Sequence, residues 1–478
     1  MKKNIVAFVI GHIAIILAVI ITLGVINVVR KDSSAQGAEK FTGELERNIT
    51  LRVLENNTAK ERGYLKELLD AFNEEYKEYG IVAVDANIDQ YNDLEQSGPF
   101  GYGPDVLYQA NDAIMKYVDG HHILPLPIDD IECREHVSDN AWGTYTTKIS
   151  NQSYTFAVPV NIQQPLLFYR DDLLPENWEE EWDDDKNGVP DMIENWSDLY
   201  FYSKQVKEES GGSKYGYMQS LCDSYFSLGY LLTYGGYVFG GEDGRDTYDI
   251  GIDNGDSYKG ARIIRQLASV MNMECTQYTI SDNRYSRLAS GTYFATMTTP
   301  DVYTMFISEM VKAGYTEEYA REHVKMVDVP ALPVSGDLED TSQGFMDMTV
   351  MGGVNGYAIS SYTKYPNAAL AFVNFATSYE MITKRCDMLG ISPARKDIVE
   401  ELGGLDKTIS DNLDNGSIYV MPSVRATSQI WPSLETFFSL IAGDILKNIN
   451  EYATDEALKN GLASVNQQIY DIIHILAG

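Results

Sequence analysis

Cysteine is scarce in this sequence: Cys133, Cys222, Cys275 and Cys386 are the only four among 478 residues. No two of them form a C-x-x-C pair, so the spacing excludes a zinc ribbon and a thioredoxin-type redox motif. Four widely separated thiols are also too few for a small scaffold held together by disulfides. We therefore expect four isolated, buried thiols.

Positive charge is also in short supply. The chain has 37 lysines and arginines against 70 aspartates and glutamates, which gives a formal net charge of −33. Nucleic-acid binding requires clustered cations that neutralise phosphate, so nucleic acid is excluded as a partner. An acidic surface instead attracts divalent cations and is typical of an exported, soluble domain.

The motifs of the common enzyme classes are missing. The sequence contains no G-x-S-x-G, no H-E-x-x-H, no phosphate-binding loop and no G-x-G-x-x-G after a strand. Of the 6 histidines, His121 and His122 fall on a turn. With 70 acidic residues, a carboxylate pair that resembles a glycosidase dyad is expected by chance. The chain is therefore predicted not to be an enzyme, and a glycosidase is the less favoured alternative.

The N-terminus predicts a membrane segment. Asn4–Val29 carries no charged residue and, at about 1.5 Å per residue, could cross a hydrocarbon core of roughly 30 Å. A cleavable signal peptide is the competing interpretation, because Ser33, Ser34 and Ala35 offer a small-residue cleavage site. The apolar stretch exceeds the roughly 7–15 residues of a signal core, so an uncleaved anchor is favoured. Residues 1–47 are assigned to this anchor and a tether, which places the protein on the extracellular face of the membrane, or secretes it if cleavage occurs.

The pattern of the rest of the chain predicts an α/β fold. A strand at Thr50–Leu54 is followed by a helix with an apolar stripe and by a second strand at Ile81–Ile88. A third strand at Asp105–Tyr108 follows Gly103 and Pro104. Strand–helix–strand order predicts a parallel sheet that is covered by helices. A final helix is expected at about Thr454–Ile475, with Thr454 as its cap.

Residues 154–175 form the most informative stretch, with the sequence YTFAVPVNIQQPLLFYRDDLLP. The apolar run Phe156–Val160 is separated from the apolar run Pro165–Tyr169 by a step that contains Asn161, Gln163 and Gln164. This pattern predicts a strand that leaves one core, exposes carboxamides and enters a second core. Such a strand would be a hinge in a protein that closes on a polar ligand.

Several collinear segments resemble the maltose-binding-protein group, the extracellular carbohydrate-binding proteins that feed ABC importers (solute-binding protein family 1). The resemblance covers nearly all of the chain after residue 48. It rests on residues 51–80, 103–126, the crossing strand through Leu173, residues 225–237, 288–300, 352–359 with 366–377, and 430–432.

The resemblance implies a type II periplasmic-binding-protein-like fold, with a carbohydrate held in the cleft between two lobes. Lobe 1 would comprise residues 48–160 and 329–378, and lobe 2 residues 161–328 and 379–478. It also implies a monomer that delivers its ligand to ABC transporter permease subunits. By position, the ligand-binding residues would be Asn56, Asn57, Gln109, Asn111, Asp112, Gln163, Asp223, Tyr225, Asp301, Tyr303 and Trp431.

The chain departs from the family's pattern at three of these positions and at Ala113. Gln109 and Asp301 stand where maltose-binding protein has tryptophans, and Ala113 stands where it has an arginine. Its glutamate in the crossing strand is replaced by Gln163. The site has lost stacking surface, which puts maltodextrin itself in doubt as the ligand. A sensory or adhesive surface protein and a binder of a non-sugar solute remain open as alternatives.

A calcium-loop pattern begins immediately after Trp182. Counting from Asp183, oxygen-bearing side chains occupy positions 1, 3, 5, 9 and 12, with Gly188 at position 6. The pattern predicts one structural Ca²⁺ ion. Its ligands would be Asp183, Asp185, Asn187, the carbonyl of Val189, Asp191 and Glu194. Proline at position 8 favours a lone loop over a paired calcium sensor.

Overall fold

The computed structural model describes residues 39–89, 94–149, 151–241, 244–422 and 424–476. Its two principal sheets contain seven and four strands. We call the part of the molecule built on the seven-stranded sheet lobe 1, and the part built on the four-stranded sheet lobe 2. All four cysteines are buried and free, as predicted.

The sheet of lobe 1 is parallel where the sequence predicted it. Ile49–Leu54 lies between Ile81–Asp85 and Val106–Ala110 and is parallel to both. The central strand Val350–Ile359 is antiparallel to Val106–Ala110, so the sheet as a whole is mixed. In spatial order the strands are Ser392–Pro393, Ala157–Gln163, Val350–Ile359, Val106–Ala110, Ile49–Leu54 and Ile81–Asp85, with Ile418–Val420 paired to the start of Val350–Ile359.

The sheet of lobe 2 is smaller. Its first strand, Leu166–Arg170, is antiparallel to both of its neighbours, and Tyr293–Thr298 is parallel to the edge strand Tyr215–Tyr217. Apolar residues fill its core because Leu166, Leu167 and Phe168 are all completely buried. In spatial order the strands are Val324–Val327, Leu166–Arg170, Tyr293–Thr298 and Tyr215–Tyr217.

Only Gln164 and Pro165 separate a strand of lobe 1 from a strand of lobe 2, so the crossing strand is present as predicted. Gln164 is fully buried, and its Nε2 donates a hydrogen bond to Asp328 Oδ1 at 2.8 Å. Asn412 Nδ2 donates to Gln164 Oε1 at 3.2 Å and to Asp328 Oδ2 at 2.8 Å. Because Asp328 follows a strand of lobe 2, these amides hold two inter-lobe segments together.

Helices cover both sheets, and their apolar stripes explain their placement. In Tyr64–Glu75, Leu65, Leu68 and Phe72 are buried on one face. The last long helix is capped by Thr454, whose side chain accepts from Ala457 N. The helices are Asn57–Glu61, Tyr64–Glu75, Leu94–Ser97, Asn111–Asp119, Asp139–Gly143, Trp178–Glu181, Asp191–Glu194, Trp196–Glu209, Ser224–Thr233, Tyr258–Ser269, Thr279–Ala289, Tyr303–Lys312, Glu317–His323, Pro366–Ala376, Tyr379–Leu389, Lys396–Leu402, Gly404–Asn415, Trp431–Leu446 and Asp455–Asp471.

Residues 379–420 join lobe 1, whereas the sequence assigned the whole of 379–478 to lobe 2. Two short strands of this segment, Ser392–Pro393 and Ile418–Val420, pair within the sheet of lobe 1. Arg385 also forms a buried ion pair with Glu55, a partner 330 residues away. The helices after residue 430 do pack on lobe 2, where Arg265 Nε lies 3.1 Å from Asp444 Oδ2.

The predicted membrane segment Asn4–Val29 lies outside the described residues. Across the described ranges, no helix combines the length and the apolar character needed to cross a membrane. The end of the predicted tether is described and is packed on lobe 1. Glu46 Oε2 accepts from Ala368 N at 2.7 Å, so this carboxylate caps the helix Pro366–Ala376.

Candidate functional site

A pocket of about 320 Å³ lies between the two lobes. Its lobe 1 wall is rich in amide and hydroxyl groups, and Pro300 and Asp301 contribute from lobe 2. The described lining residues are Asn56, Asn57, Thr58, Tyr108, Gln109, Ala110, Asn161, Gln163, Pro300, Asp301, Asn355 and Ile391. Five of these, namely Asn56, Asn57, Gln109, Gln163 and Asp301, belong to the ligand-binding set predicted from the sequence.

Sheet topology brings these residues together. Asn56 closely follows the strand Ile49–Leu54, and Gln109 and Ala110 end the neighbouring parallel strand. The carboxyl ends of parallel strands share one edge of a sheet, which is where ligands bind in open α/β folds. From the other side, Pro300 and Asp301 come just after Tyr293–Thr298, a strand of lobe 2.

Hydrogen bonds fix the polar side chains of the lobe 1 wall. Asn355 Nδ2 donates to Gln163 Oε1 at 3.0 Å, and the Tyr108 hydroxyl donates to Asn161 Oδ1. Asn56 Oδ1 accepts from Ala59 N at 2.8 Å, which makes Asn56 the N-cap of the helix Asn57–Glu61. The wall is therefore ordered by contacts within lobe 1.

A buried ion pair lies directly behind this wall. Glu55 and Arg385 have no exposed surface, and Arg385 Nη1 is 2.7 Å from Glu55 Oε1. Burial alone would lower the pKa of Arg385, but Glu55 and the neighbouring tyrosines raise it well above its ordinary value. Glu55 Oε2 also accepts from Asn56 N at 3.0 Å, and the guanidinium lies 4.0 Å from the centre of the Tyr108 ring. This pair supports two residues of the pocket.

Asp301, on the lobe 2 side of the pocket, differs from Glu55 in its hydrogen bonding. Its Oδ1 atom is buried and has no hydrogen-bond partner. Burial raises the pKa of this carboxyl group, and the hydroxyl of Thr299 only partly offsets the rise. Nearby Tyr225 has a raised pKa, first because of burial and then because of Asp301, Asp112 and Asp223. The lobe 2 side of the cleft thus carries an acceptor that the protein itself leaves unsatisfied.

Two further predicted residues follow the pocket strand Val106–Ala110 without lining the pocket. Asn111 is buried, and its Oδ1 accepts from Val354 N at 3.3 Å while its Nδ2 donates to Met421 O at 3.2 Å. These contacts give Asn111 a structural position that joins three segments. Asp112 is half-buried in the first turn of Asn111–Asp119, and burial raises its pKa.

Four predicted residues lie on lobe 2 or in the C-terminal segment after residue 430, namely Asp223, Tyr225, Tyr303 and Trp431. None of them is among the described residues that line the pocket. Asp223 is at the N-cap position of Ser224–Thr233, and burial raises its pKa. The Tyr303 hydroxyl donates to Arg321 O at 3.4 Å. Trp431 is partly buried at the start of Trp431–Leu446, one turn before Glu435, whose charge acts on Asp223.

The sequence prediction missed several lining residues. Tyr108 and Ala110 flank the predicted residue Gln109, and Thr58 follows the predicted residue Asn57. The prediction therefore identified the right segments but left out their neighbouring residues. Asn355 is the more instructive omission because it is a carboxamide in an otherwise apolar, glycine-rich strand, Val350–Ile359. That signal was available in the sequence. For Ile391 no comparable signal exists.

The loop Asp183–Glu194 brings three of the six predicted calcium ligands together. Asp183 Oδ1 accepts from Asn187 N at 3.0 Å, and Gly188 has a φ of 82°. Carboxylate oxygens of Asp185, Asp191 and Glu194 lie within 4.8 Å of one another. Burial and neighbouring carboxylates raise the pKa of Glu194, with the Asn187 amide opposing them. The donor set consists of oxygens with no lysine or arginine among the predicted ligands, which fits a hard cation.

Comparison with known proteins gives consistent results. Residues 56–382 match the family model of the bacterial extracellular solute-binding proteins. A galactooligosaccharide-binding protein of Bacillus subtilis is 30% identical over 208 residues, which are 42% of this chain and 44% of that relative, so less than half of its length is matched. A maltodextrin-binding protein of Bacillus subtilis is 22% identical over 78% of this chain and 84% of its own length.

Solved structures show the same fold. A maltose-binding periplasmic protein of Listeria monocytogenes, in complex with maltose, is 20% identical with a TM-score of 0.66, covering 89% of this chain and 97% of that protein. A cyclo/maltodextrin-binding protein in complex with maltotetraose is 18% identical with a TM-score of 0.68, covering 91% and 99%. The fold is therefore the two-lobed α/β architecture that the sequence predicted. Because the family model matches well over half of the chain, this protein belongs to the bacterial extracellular solute-binding proteins and is maltose-binding-protein-like.

Proposed function

We propose that this protein is an extracellular receptor that captures an oligosaccharide between its lobes and delivers it to an ABC transporter. The inter-lobe pocket carries the proposal, because five residues predicted from separate segments line it together. The named relatives, a galactooligosaccharide-binding and a maltodextrin-binding protein, support a sugar as the ligand class.

The pocket chemistry suits a saccharide. Sugar hydroxyls donate to carboxylates and exchange hydrogen bonds with amides, and Asp301, Gln109 and Gln163 supply these groups. The C–H faces of a sugar ring pack on aromatic rings, but Tyr108, the aromatic residue of the described lining, is buried with its ring against the Arg385 guanidinium, so hydrogen bonds carry the proposal. Asp301 lines the site from lobe 2, and its buried Oδ1 atom has no hydrogen-bond partner within the protein.

Delivery would follow from hinge closure. The lobes are joined by the crossing strand and by the segment at Asp328, and Gln164 bridges the two. Rotation about short crossing segments is the usual means by which two-lobed binding proteins close on a ligand. A transporter that prefers the closed form would then distinguish loaded from empty receptor.

The alternatives make different predictions. A surface sensor or adhesin would bind the same sugar but would not stimulate a transporter, and a binder of amino acids or peptides would ignore sugars. A glycosidase requires two carboxyl groups at the scissile bond. Among the described residues that line the pocket, Asp301 is the only one with a carboxyl group, so the geometry favours binding without turnover.

Calorimetric titration with a panel of oligosaccharides, amino acids and peptides tests the proposal. We expect heat of binding from at least one oligosaccharide, no released product, and weaker binding in Asp301→Ala. Lys148→Ala is a matched control, because Lys148 lines a larger cavity of about 520 Å³ whose described lining includes none of the predicted ligand residues. Binding of peptides or amino acids alone would overturn the sugar assignment.

We also propose that the loop Asp183–Glu194 binds one Ca²⁺ ion that stabilises lobe 2. Three of the predicted ligands, Asp185, Asp191 and Glu194, have carboxylate oxygens within 4.8 Å of one another, and this proximity supports the proposal. Calcium accepts six to eight oxygen ligands in flexible geometry, and such a loop can supply them. Its role would be structural, because none of its residues is among the described lining of the inter-lobe pocket.

We further propose that residues 1–47 form a membrane anchor and a tether, and that Asn4–Val29 anchors a monomeric receptor to the membrane. The charge-free length of that segment supports this proposal. Residues 40–46 are bound to lobe 1, where Lys40 Nζ donates to Ser361 O at 2.8 Å and Gly43 N donates to Asn367 Oδ1 at 3.0 Å. An anchor attached here would hold lobe 1 by its N-terminal side. Release of the protein by cells after cleavage at the small residues Ser33, Ser34 and Ala35 would contradict anchoring.

A further inference from the structure

Two carboxamide side chains of the pocket, Asn56 and Gln163, use their oxygen atoms within the protein. Asn56 Oδ1 accepts from Ala59 N at 2.8 Å, and Gln163 Oε1 accepts from Asn355 Nδ2 at 3.0 Å. A carboxamide has one oxygen, which accepts hydrogen bonds, and one NH2 group, which donates them. Both residues line the pocket and are partly exposed, so the NH2 group is the part of each side chain that remains for a ligand.

A relay of hydrogen bonds behind the pocket surface fixes the orientation of Gln163. The Tyr108 hydroxyl donates its single hydrogen to Asn161 Oδ1, so its oxygen can only accept from its other neighbour, Asn355. Burial raises the pKa of Tyr108 to about 12, and the hydrogen bond with Asn355 is one of the contacts that oppose this rise. The nitrogen of Asn355 therefore points to Tyr108 and to Gln163, and the oxygen of Gln163 must point back to it.

The strand register places Gln163 beside this relay. Asn161 lies opposite Asn355 on the neighbouring antiparallel strand, and Gln163 follows Asn161 by two residues, so both project from the same face of the sheet. Asn56 reaches the same pocket from another side, because it closely follows the strand Ile49–Leu54. The two NH2 groups thus come from separate parts of the lobe 1 wall.

Neither amide can reverse its orientation without losing a hydrogen bond. A backbone N–H such as that of Ala59 only donates, so a reversed Asn56 would no longer cap the helix Asn57–Glu61. A reversed Gln163 would place its NH2 group against the nitrogen of Asn355. Both side chains are therefore set as donors before a ligand arrives, which lowers the cost of ordering them on binding.

We infer that lobe 1 recognises the saccharide as a hydrogen-bond donor, through the NH2 groups of Asn56 and Gln163, so that the ligand hydroxyls facing these residues accept. Such a hydroxyl can be replaced by a group that accepts without donating, such as an ether oxygen or fluorine. Its complete removal instead leaves a buried amide donor unsatisfied. This inference rests on the proposed sugar-binding function and assigns two specificity-determining residues to it.

Gln163→Glu tests the direction of the hydrogen bond at nearly constant side-chain size. An ionised carboxylate only accepts, so the affinity should fall at least about tenfold when the NH2 group is replaced by oxygen. The probes are maltotriose and β-1,4-galactotriose, titrated calorimetrically, and the one that binds wild type more tightly is used throughout. Gln152→Glu is the matched control and should bind like wild type, because Gln152 is exposed and is not among the described lining residues.

Asn56→Asp is the second variant, chosen because it keeps the fold. Aspartate caps a helix about as well as asparagine, so the melting temperature should stay near that of wild type. The substitution removes the NH2 group alone, and the affinity for the same trisaccharide should again fall at least about tenfold.

Analogues of the trisaccharide give a readout that a purely structural role would not change. Each hydroxyl is replaced in turn by fluorine, which keeps a weak acceptor, or by hydrogen, which keeps neither acceptor nor donor. At one or more ring positions, wild type should bind the fluoro analogue at least about threefold more tightly than the deoxy analogue. Gln163→Glu or Asn56→Asp should abolish that preference at the position that faces the substituted residue.

The contrary results are distinct. Affinity that is unchanged or increased in both Gln163→Glu and Asn56→Asp would overturn the inference and leave the sugar-binding function intact. Fluoro analogues that bind no better than deoxy analogues at every position would do the same. A protein that binds neither trisaccharide nor any other saccharide of the wider panel would overturn the proposed function, and the inference with it.

Discussion

Two carboxylates on opposite sides of the cleft differ in how many of their oxygens have partners within the protein. Glu55, behind the lobe 1 wall, is fully buried and bonded to Arg385, to Tyr357 and to Asn56 N. Asp301, on the lobe 2 side, keeps one buried oxygen without any partner. Proteins satisfy most of their buried polar atoms. Asp301 Oδ1 is one of several described buried atoms without a partner, and among these it is the one whose residue lines the inter-lobe pocket. The satisfied carboxylate holds the shape of the pocket.

The first test disrupts the buried ion pair between Glu55 and Arg385. Arg385→Leu should lower the free energy of unfolding by about 3–5 kcal/mol, because it leaves the buried Glu55 charge without its partner. Urea denaturation monitored by tryptophan fluorescence measures this. Lys384→Ala, at the neighbouring but exposed pair with Glu67, should leave the midpoint nearly unchanged.

A double variant that removes both charges is the control for Arg385→Leu. Glu55→Gln with Arg385→Met removes both charges, so it should be more stable than Arg385→Leu alone. If Arg385→Leu were as stable as wild type, the buried pair would not support the lobe 1 wall.

Calcium should have the next largest effect. Saturating Ca²⁺ should raise the melting temperature and, at about one hundred times Kd, add about 2.7 kcal/mol to the stability. Magnesium should substitute poorly because it prefers a small, rigid octahedral shell. Differential scanning calorimetry with calcium and with a chelator measures both effects.

The loop variant Asp183→Asn with Glu194→Gln is the control for the calcium effect. It should lose the calcium response and keep its sugar affinity, measured well below the melting temperature. A wild-type melting curve that a chelator does not move would contradict the structural calcium site.

A substitution of Trp431, in the C-terminal segment, should have a smaller effect on sugar binding. Trp431→Ala should weaken sugar binding by about 1–3 kcal/mol if the indole forms a stacking floor that extends the pocket, as buried aromatic anchors do. Trp431 starts the helix Trp431–Leu446, whose Glu435 acts electrostatically on Asp223 of lobe 2. Calorimetry measures the change, and a cooperative unfolding transition confirms that the fold is kept. Unchanged affinity would confine the site to the described lining residues.

The smallest expected effect compares one carboxylate of each lobe. Asp172 in lobe 2 and Asp397 in lobe 1 are partly buried, which would raise their pKa values, but Arg170 and Arg395 two residues earlier lower them below the ordinary value. A carboxyl pKa lowered by folding stabilises the protein above the unfolded pKa of about 3.9, and the stabilisation is lost as pH falls through the folded pKa.

Asp172→Asn and Asp397→Asn should therefore both be less stable than wild type at neutral pH, and the deficit should disappear in acid. Urea midpoints measured from pH 7 down to about pH 2 check this, because the deficit should shrink below the unfolded pKa of about 3.9 and disappear only below the lower folded pKa. Asp172 should show the larger deficit, because its side chain is 13% exposed against 29% for Asp397. A deficit that does not change with pH would assign these residues a packing role alone.

The sequence predicted what depends on local pattern. Alternating apolar runs located the first parallel strands, and the amide step between two apolar runs located the crossing strand, because both signals lie within a few residues. The resemblance then brought five residues of the pocket together. It did not reveal that Asn111 joins Val354 to Met421, since that role depends on contacts with distant segments.

Long-range pairing accounts for the rest. Residues 379–420 were assigned to lobe 2, but the pairing of Arg385 with Glu55 and of Ser392–Pro393 with Ala157–Gln163 places them in lobe 1. Nothing in the local sequence specifies a partner 330 residues away. Gln164 was expected to be exposed for the ligand, yet it is buried and binds Asp328, because an amide at a crossing point can serve either purpose.

The most direct test of the central claim is a calorimetric titration of one bound oligosaccharide into wild type, Gln109→Ala and Asp301→Ala. These variants remove one lining side chain from each lobe. If the ligand is held between the lobes, each variant should lose at least about tenfold in affinity while its melting temperature stays near that of wild type. Wild-type affinity in both variants would contradict the account.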